Sequence, residues 1–246
     1  MEINTQIPVS PQGTQSFGQL PSANSIFKEA WAIYKQGFWY FLKISLVPVL
    51  AMLVLDLVTG MQAVGGIKPV EALLIAVVAV AVIYISLWGW ATMLLAVKDY
   101  PNVVSVSDAY KNSKHLIWPL FVVGLLAGLA VMGGLILLIV PGIIFALWFS
   151  QSYFAVLDEK GKGTSALTYS KNLVKGRLGE VFLKNLYIIV ITIAISLVIG
   201  ILTGGMNSNS QTSTIFNNLF SWIWTPLVTL YSYKLYKHLQ ATSKQA

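Results

Sequence analysis

Leu116–Leu157 reads LIWPLFVVGLLAGLAVMGGLILLIVPGIIFALWFSQSYFAVL, 42 residues without one charged side chain. A hydrocarbon layer about 30 Å thick is crossed by about 20 helical residues, so this stretch is too long for a single crossing. It reads as a tight helical hairpin. Pro141-Gly142 is the expected turn, because proline removes a backbone donor and glycine tolerates unusual dihedrals. The third span is then expected near Leu116–Val140 and the fourth, a short one, near Ile143–Leu157.

The rest of the chain follows the same logic. Apolar residues make up 56% of it, charged residues only 10%, and the mean hydropathy is +0.72. A second charge-free run, Asn185–Tyr233, is equally foreign to a water-facing surface. The expected class is an all-α polytopic membrane protein with six transmembrane helices. The first span is expected at Phe38–Val58 and the second at Ala72–Val97. The fifth is expected at Val181–Leu202 and the sixth at Ile215–Tyr233, after a polar linker at Thr203–Thr214. Residues 1–21 read as a disordered polar tail without a signal-peptide pattern, and 239–246 as a C-terminal tail.

Charge sets the expected orientation. The net charge is +7, and of sixteen basic residues only Lys68 falls in an outer loop when both termini are cytoplasmic. That sorting matches the positive-inside rule. It also makes anionic lipid headgroups, not nucleic acid, the expected partner of the basic residues. The absence of cysteine excludes disulfides, thiolate catalysis and cysteine-ligated metal. His115 and His238 are the only histidines, so no metal or cofactor is expected.

Three segments share one pattern: Phe27 to Lys35, Val106 to Lys114 and Gly163 to Lys171. Each sets an alanine (Ala30, Ala109, Ala166) and a lysine (Lys35, Lys114, Lys171) at matching offsets ahead of a hydrophobic span. The even-numbered spans repeat too. Trp88 precedes Lys98 by ten residues, as Trp148 precedes Asp158 and Trp224 precedes Lys234. The pattern predicts three modules, near 22–99, 100–160 and 161–238, each an interfacial helix followed by a helical hairpin. The interfacial helices are expected on the cytoplasmic face, with Ser25 capping the first and Thr164 or Ser165 the third.

Several residues stand out as possible sites. Ser150, Gln151 and Ser152 form a polar patch in the fourth span; with Trp148 they are candidates to line an internal cavity, and bundle filling is the plainer reading. Lys171, Lys175 and Arg177 form the densest basic cluster, either a topology signal or a lipid-headgroup or anion contact. Asp56 is the one acid inside an apolar run, although it lies only four residues before Gly60 and so near the outer interface. Gly124 and Gly128 have the four-residue spacing of close helix packing, within the chain or between copies. Asp158-Glu159 is read as an ordinary charged loop. No nucleotide-binding, metalloprotease or serine-nucleophile motif occurs in a suitable context, so an enzyme is not expected.

On these residues the chain resembles the YciC-like bacterial inner-membrane family and the membrane domain attached to some glycerophosphodiester phosphodiesterases. The resemblance runs from about Ser25 to Lys237. It is clearest at Pro141-Gly142-Ile143, Trp148, Asp158, Gly161, and Ala166 to Gly176 with Ser170, Lys171 and Lys175. It implies a multi-span bundle of the bacterial cytoplasmic membrane and no specified chemistry, because the phosphodiesterase domain is not in this sequence. The expected function is membrane organisation or scaffolding; the alternatives are a small transporter or lipid-handling protein and a homo-oligomeric scaffold.

Overall fold

The computed structural model describes residues 18–60, 69–103, 105–202 and 211–243. Among these residues the fold is entirely helical: α1 (Ala23–Gln36), α2 (Phe38–Gly60), α3 (Pro69–Asp99), α4 (Val106–Ser113), α5 (Ile117–Leu137), α6 (Ile139–Phe149), α7 (Ser152–Leu157), α8 (Thr164–Val174), α9 (Leu178–Leu202) and α10 (Gln211–Ser243). A single 3-10 turn, Lys114–Leu116, joins α4 to α5. Among the described residues five segments are long and apolar enough to cross a membrane: Phe38–Asp56, Val70–Asp99, Val106–Leu137, Ile139–Leu157 and Leu178–Ile201. These helices are compatible with a multi-pass membrane protein. The segment expected as a sixth span lies inside α10, a helix of 33 residues.

Short amphipathic helices precede three of the long ones. On α1, Ile26, Ala30 and Tyr34 are buried at helical spacing while Lys28 and Lys35 are exposed. Its cap is Ser22, whose hydroxyl accepts from the Ser25 amide; the cap lies three residues before the expected Ser25. Ser105 caps α4 in the same way through the Asp108 amide. On α8 neither Thr164 nor Ser165 is the cap. Gly163 stands there, and Ser165 instead closes a turn on the Lys162 backbone.

The hairpin turn differs from expectation. α5 ends at Leu137, and the reversal occurs at Leu138, the one extended residue (φ −165°, ψ 154°) between α5 and α6. Pro141 and Gly142 lie in the first turns of α6, where a missing proline N–H costs nothing because first-turn donors have no helical acceptor. Gly142 is needed there for close approach. A Cβ on it would lie 2.5 Å from the Leu135 side chain, and one on Gly134 would lie 2.9 Å from the Gly142 backbone. The same device recurs between α2 and α3, where Gly89 makes room for Pro48.

The described parts of both expected tails are packed. Residues 1–17 lie outside the described part, but Leu20 packs on the core and the Gly18 carbonyl accepts from Arg177. At the other end α10 continues to Ser243, with Leu239 fully buried. Residues 203–210 of the polar linker, Lys68 and residues 244–246 lie outside the described part.

The core sits at one end of the bundle. Phe154 to Leu157, Tyr231 to Leu239, Ala91 to Val97 and the buried faces of α1 and α8 meet there. Away from it, Leu135 to Val140 and one side of α9, including Leu183, Val190, Leu197 and Ile201, are exposed apolar surface, which suits lipid contact.

Candidate functional site

Three junctions at the core end each dock an amphipathic helix, α4 on α3, α8 on α6 and α1 on α10. At the first, the Trp88 indole of α3 donates to the Tyr110 carbonyl at 3.0 Å and to Ser113 Oγ at 3.2 Å. Ser113 Oγ also lies 2.7 Å from Thr92 Oγ1, and the Lys114 ammonium stands 5.4 Å over the Trp88 ring. At the second, Ser170 Oγ donates to the Trp148 carbonyl at 2.6 Å and accepts from the Gln151 amide at 3.1 Å. There Lys171 stands 4.4 Å over the Trp148 ring. At the third, Tyr34 of α1 donates to the Ile223 carbonyl of α10 at 2.7 Å. Burial pushes the Tyr34 hydroxyl up to about 12, so it stays a donor. Here the tryptophan turns away: the Trp224 indole donates to Thr192 on α9 at 2.9 Å.

The second junction explains the polar patch. Gln151 is only 1% exposed and sits in the break between α6 and α7. Ser150 donates to the Leu147 carbonyl, Ser152 to the Phe149 carbonyl and the Gln151 side-chain amide to Ser150. These hydroxyls, with Ser170, satisfy backbone groups that the break frees. Two buried polar atoms, Gln151 Oε1 and Trp148 Nε1, have no partner among the described residues. The patch therefore closes a helix break inside packed side chains, and the three cavities described here are lined by other residues.

An ionic centre lies between the junctions. Asp158, 10% exposed, takes Lys237 at 2.7 Å and Lys98 at 3.7 Å, so it links the ends of α3, α7 and α10. Lys98 also donates to the Leu157 carbonyl, and Lys237 stands over the rings of Tyr233 and Tyr236. Burial acts to lower the Lys237 pKa, but the Asp158 hydrogen bond and charge, with Tyr233, leave it above the ordinary lysine value. Lys98 and Asp158, each ten residues after a tryptophan in the repeat, thus carry opposite charges that pair. Glu159 points elsewhere; it is exposed, at a positive φ of 55°.

The basic cluster divides three ways. Lys171 lies on Trp148, Lys175 is exposed, and Arg177 is buried, donating to Thr242 and to the Gly18 carbonyl. Burial lowers the Arg177 pKa, opposed by the nearby charge of Glu180. Gly176, at φ 91°, supplies the left-handed residue that turns α8 toward α9 and Arg177 inward. His238 and Glu29 form a further contact at 3.1 Å between α10 and α1.

The other singled-out residues are dispersed. Asp56 is exposed at the far end of α2. A Cβ on Gly124 would meet the Tyr153 hydroxyl at 3.2 Å, whereas one on Gly128 would meet nothing within 4 Å. Gly128 thus faces away from the chain's own helices. Among the described residues no three His, Asp or Glu side chains converge to hold a metal ion.

Cavities open elsewhere among the described residues. One of about 660 Å³ opens where α1 bends at Gly37 into α2, against α10. Its walls are mainly aromatic, including Trp31, Trp39 and Trp224, with Lys35 among them. A second, about 630 Å³, carries Lys98, Asp99, His115, Glu159 and Lys162 beside apolar residues such as Leu95 and Val156. A third, about 480 Å³, lies between α9 and α10 and presents Thr192, Ser196, Ser221 and Thr225.

Comparison with known proteins adds no name to this geometry. No family model, no curated protein and no solved structure matches the chain.

Proposed function

We propose that the chain is a non-enzymatic, multi-pass protein of the bacterial cytoplasmic membrane that organises anionic lipid, and through it partner proteins, at the inner leaflet. On this reading α10 supplies a sixth span, both termini are cytoplasmic, and the bundle is a ring of three modules of the YciC-like kind. Each interfacial helix docks on the returning span of the preceding module, and α1 closes the ring on α10.

The observation that carries the reading is the matched chemistry of the junctions. Ala30, Ala109 and Ala166 are all buried, and Tyr34, Ser113 and Ser170, four residues on, each hydrogen-bond to the docked helix near a tryptophan. A lysine follows each, at the depth where headgroup phosphates and indole rings both sit. The polar side chains of the fourth span close a helix break, which favours a fixed platform over a conduction path.

The test is to extract the protein with its surrounding bilayer and quantify its lipids against bulk membrane. Enrichment of anionic phospholipid is expected; a composition equal to bulk overturns the reading. Since the chain has no cysteine, Ser22→Cys and Ser243→Cys report the orientation cleanly. Both should be labelled from the cytoplasmic side only.

A second reading, a small transporter or lipid-handling protein, is favoured by the hydroxyl-lined cavity between α9 and α10. It predicts flux or lipid transbilayer movement in proteoliposomes that Ser196→Leu abolishes.

A further inference from the structure

We propose that the cavity where α1 bends into α2 seats one anionic phospholipid, its phosphate on Lys35 and its acyl chain against Trp39 and Trp224. The inference deepens the membrane-organising reading and rests on it.

The argument is a comparison within the molecule. At two junctions the lysine that follows the docking residue lies on a tryptophan face, Lys114 on Trp88 and Lys171 on Trp148. At the third, Trp224 is held away by Thr192, and a cavity of about 660 Å³ opens in its place. Lys35 is exposed on its wall and, among the described residues, has no ion pair, hydrogen bond or ring contact. The lining thus offers one uncommitted cation and no acid.

Size and surroundings select the occupant. The volume lies within the range of about 300–1,000 Å³ typical of ligand sites, which are mostly apolar with few polar groups. A free inorganic anion gains nothing from walls of tryptophan, tyrosine and leucine. A phospholipid gains from both parts: its phosphate meets the ammonium and its chain covers aromatic surface. Trp39, 71% exposed at the first turn of α2, marks the bilayer side from which a chain enters. With a lipid bound, the third junction gives its lysine a partner, as the other two do with their own tryptophan rings.

The test uses the full chain in nanodiscs of phosphatidylcholine with a minor fraction of phosphatidylglycerol, followed by native mass spectrometry of retained lipid. One phosphatidylglycerol per chain is expected to survive delipidation. Lys35→Gln should lower that retention about tenfold, the loss of one charge-assisted contact. Lys35→Arg should restore it, while Lys111→Gln and Lys160→Gln, at exposed lysines outside the cavity lining, leave it unchanged. Because Lys35 is exposed, the glutamine variant keeps the packing, and an unaltered melting profile checks this. Equal retention of the two lipids, equal loss in all three glutamine variants, or displacement by inorganic phosphate each overturn the proposal. Failure of the membrane reading is a separate result: the chain would then be released from membranes by alkaline carbonate. A chain that stays embedded and retains no phosphatidylglycerol refutes the lipid seat alone.

Discussion

The core end of the bundle and the far half of its long helices are built on different physics. At the core end, Lys98, Asp158 and Lys237 join three helices, and Trp88, Trp148 and Tyr34 join three interfacial helices to them. In the far half there are mainly exposed aliphatic side chains, such as Leu135 to Val140, and glycines that let backbones touch. The reason is the solvent. Lipid is as apolar as leucine and gives helices no hydrophobic reason to associate, so contact there depends on close van der Waals approach. Near the headgroups water returns, and burial, hydrogen bonds and ion pairs all contribute. The two regions should therefore fail in different ways.

The sharpest break lies in the far half. Gly142→Leu places a branched side chain against Leu135 and the α5 backbone, where even a Cβ has no room. We expect a loss of about 3 kcal/mol, the upper part of the overpacking range, read as thermal stability in mild detergent. A stability equal to wild type would mean that α5 and α6 are not apposed at this point. At the core end, Asp158→Asn leaves two lysines without their counter-charge. Breaking a buried pair costs about 3–5 kcal/mol, but both lysines are partly exposed, so about 2 kcal/mol is expected. The pH dependence follows from Lys237, whose pKa is raised on folding. Its contribution is complete below the ordinary lysine value and lost as pH rises through the higher folded value. Wild type and Asp158→Asn should accordingly converge in stability only at strongly alkaline pH.

How much of this was legible in the sequence divides along the same line. Long apolar runs announced α2, α3, α5, α6 and α9, because lipid admits only one answer to a run of that length. The spacing of Ala30, Ala109 and Ala166 announced α1, α4 and α8 and their buried faces, because amphipathic periodicity is local. What depended on partners far along the chain was not legible. Asp158 looked like loop charge, since Lys98 and Lys237 lie 60 and 79 residues away. Arg177 looked like a headgroup contact, since its acceptors, Gly18 and Thr242, lie near opposite ends of the chain. Pro141-Gly142 was visible as a break, but whether it forms the turn or the packing surface beside it depends on where α5 stops. Leu138 carries no signal for the reversal that it makes.

Smaller effects probe the junctions themselves. Ser170→Ala removes the donor to the Trp148 carbonyl and the acceptor of the Gln151 amide in one step. Two backbone groups lose partners in a buried break, and about 1–2 kcal/mol should follow. Ser170→Thr, which keeps the hydroxyl, should recover part of it. If Ser170→Ala were neutral, the α6–α7 break would be stabilised by packing alone.

The smallest expected effect on the fold is the most informative about assembly. A Cβ on Gly128 would meet nothing within 4 Å, and the neighbouring Leu125, Leu129 and Met132 are exposed on the same helix. Gly128→Leu should therefore change monomer stability by no more than about 0.5 kcal/mol, as substitutions outside any packed contact do. Its effect on oligomeric state, measured by mass photometry in nanodiscs, is then free of any folding defect. A wild-type oligomer that dissociates in this variant places the copy-to-copy contact on the open face of α5, where a small residue admits a second backbone. An oligomer that survives excludes that face and leaves Gly128 as a lipid-facing position, in keeping with the far half being held together by the hairpins alone.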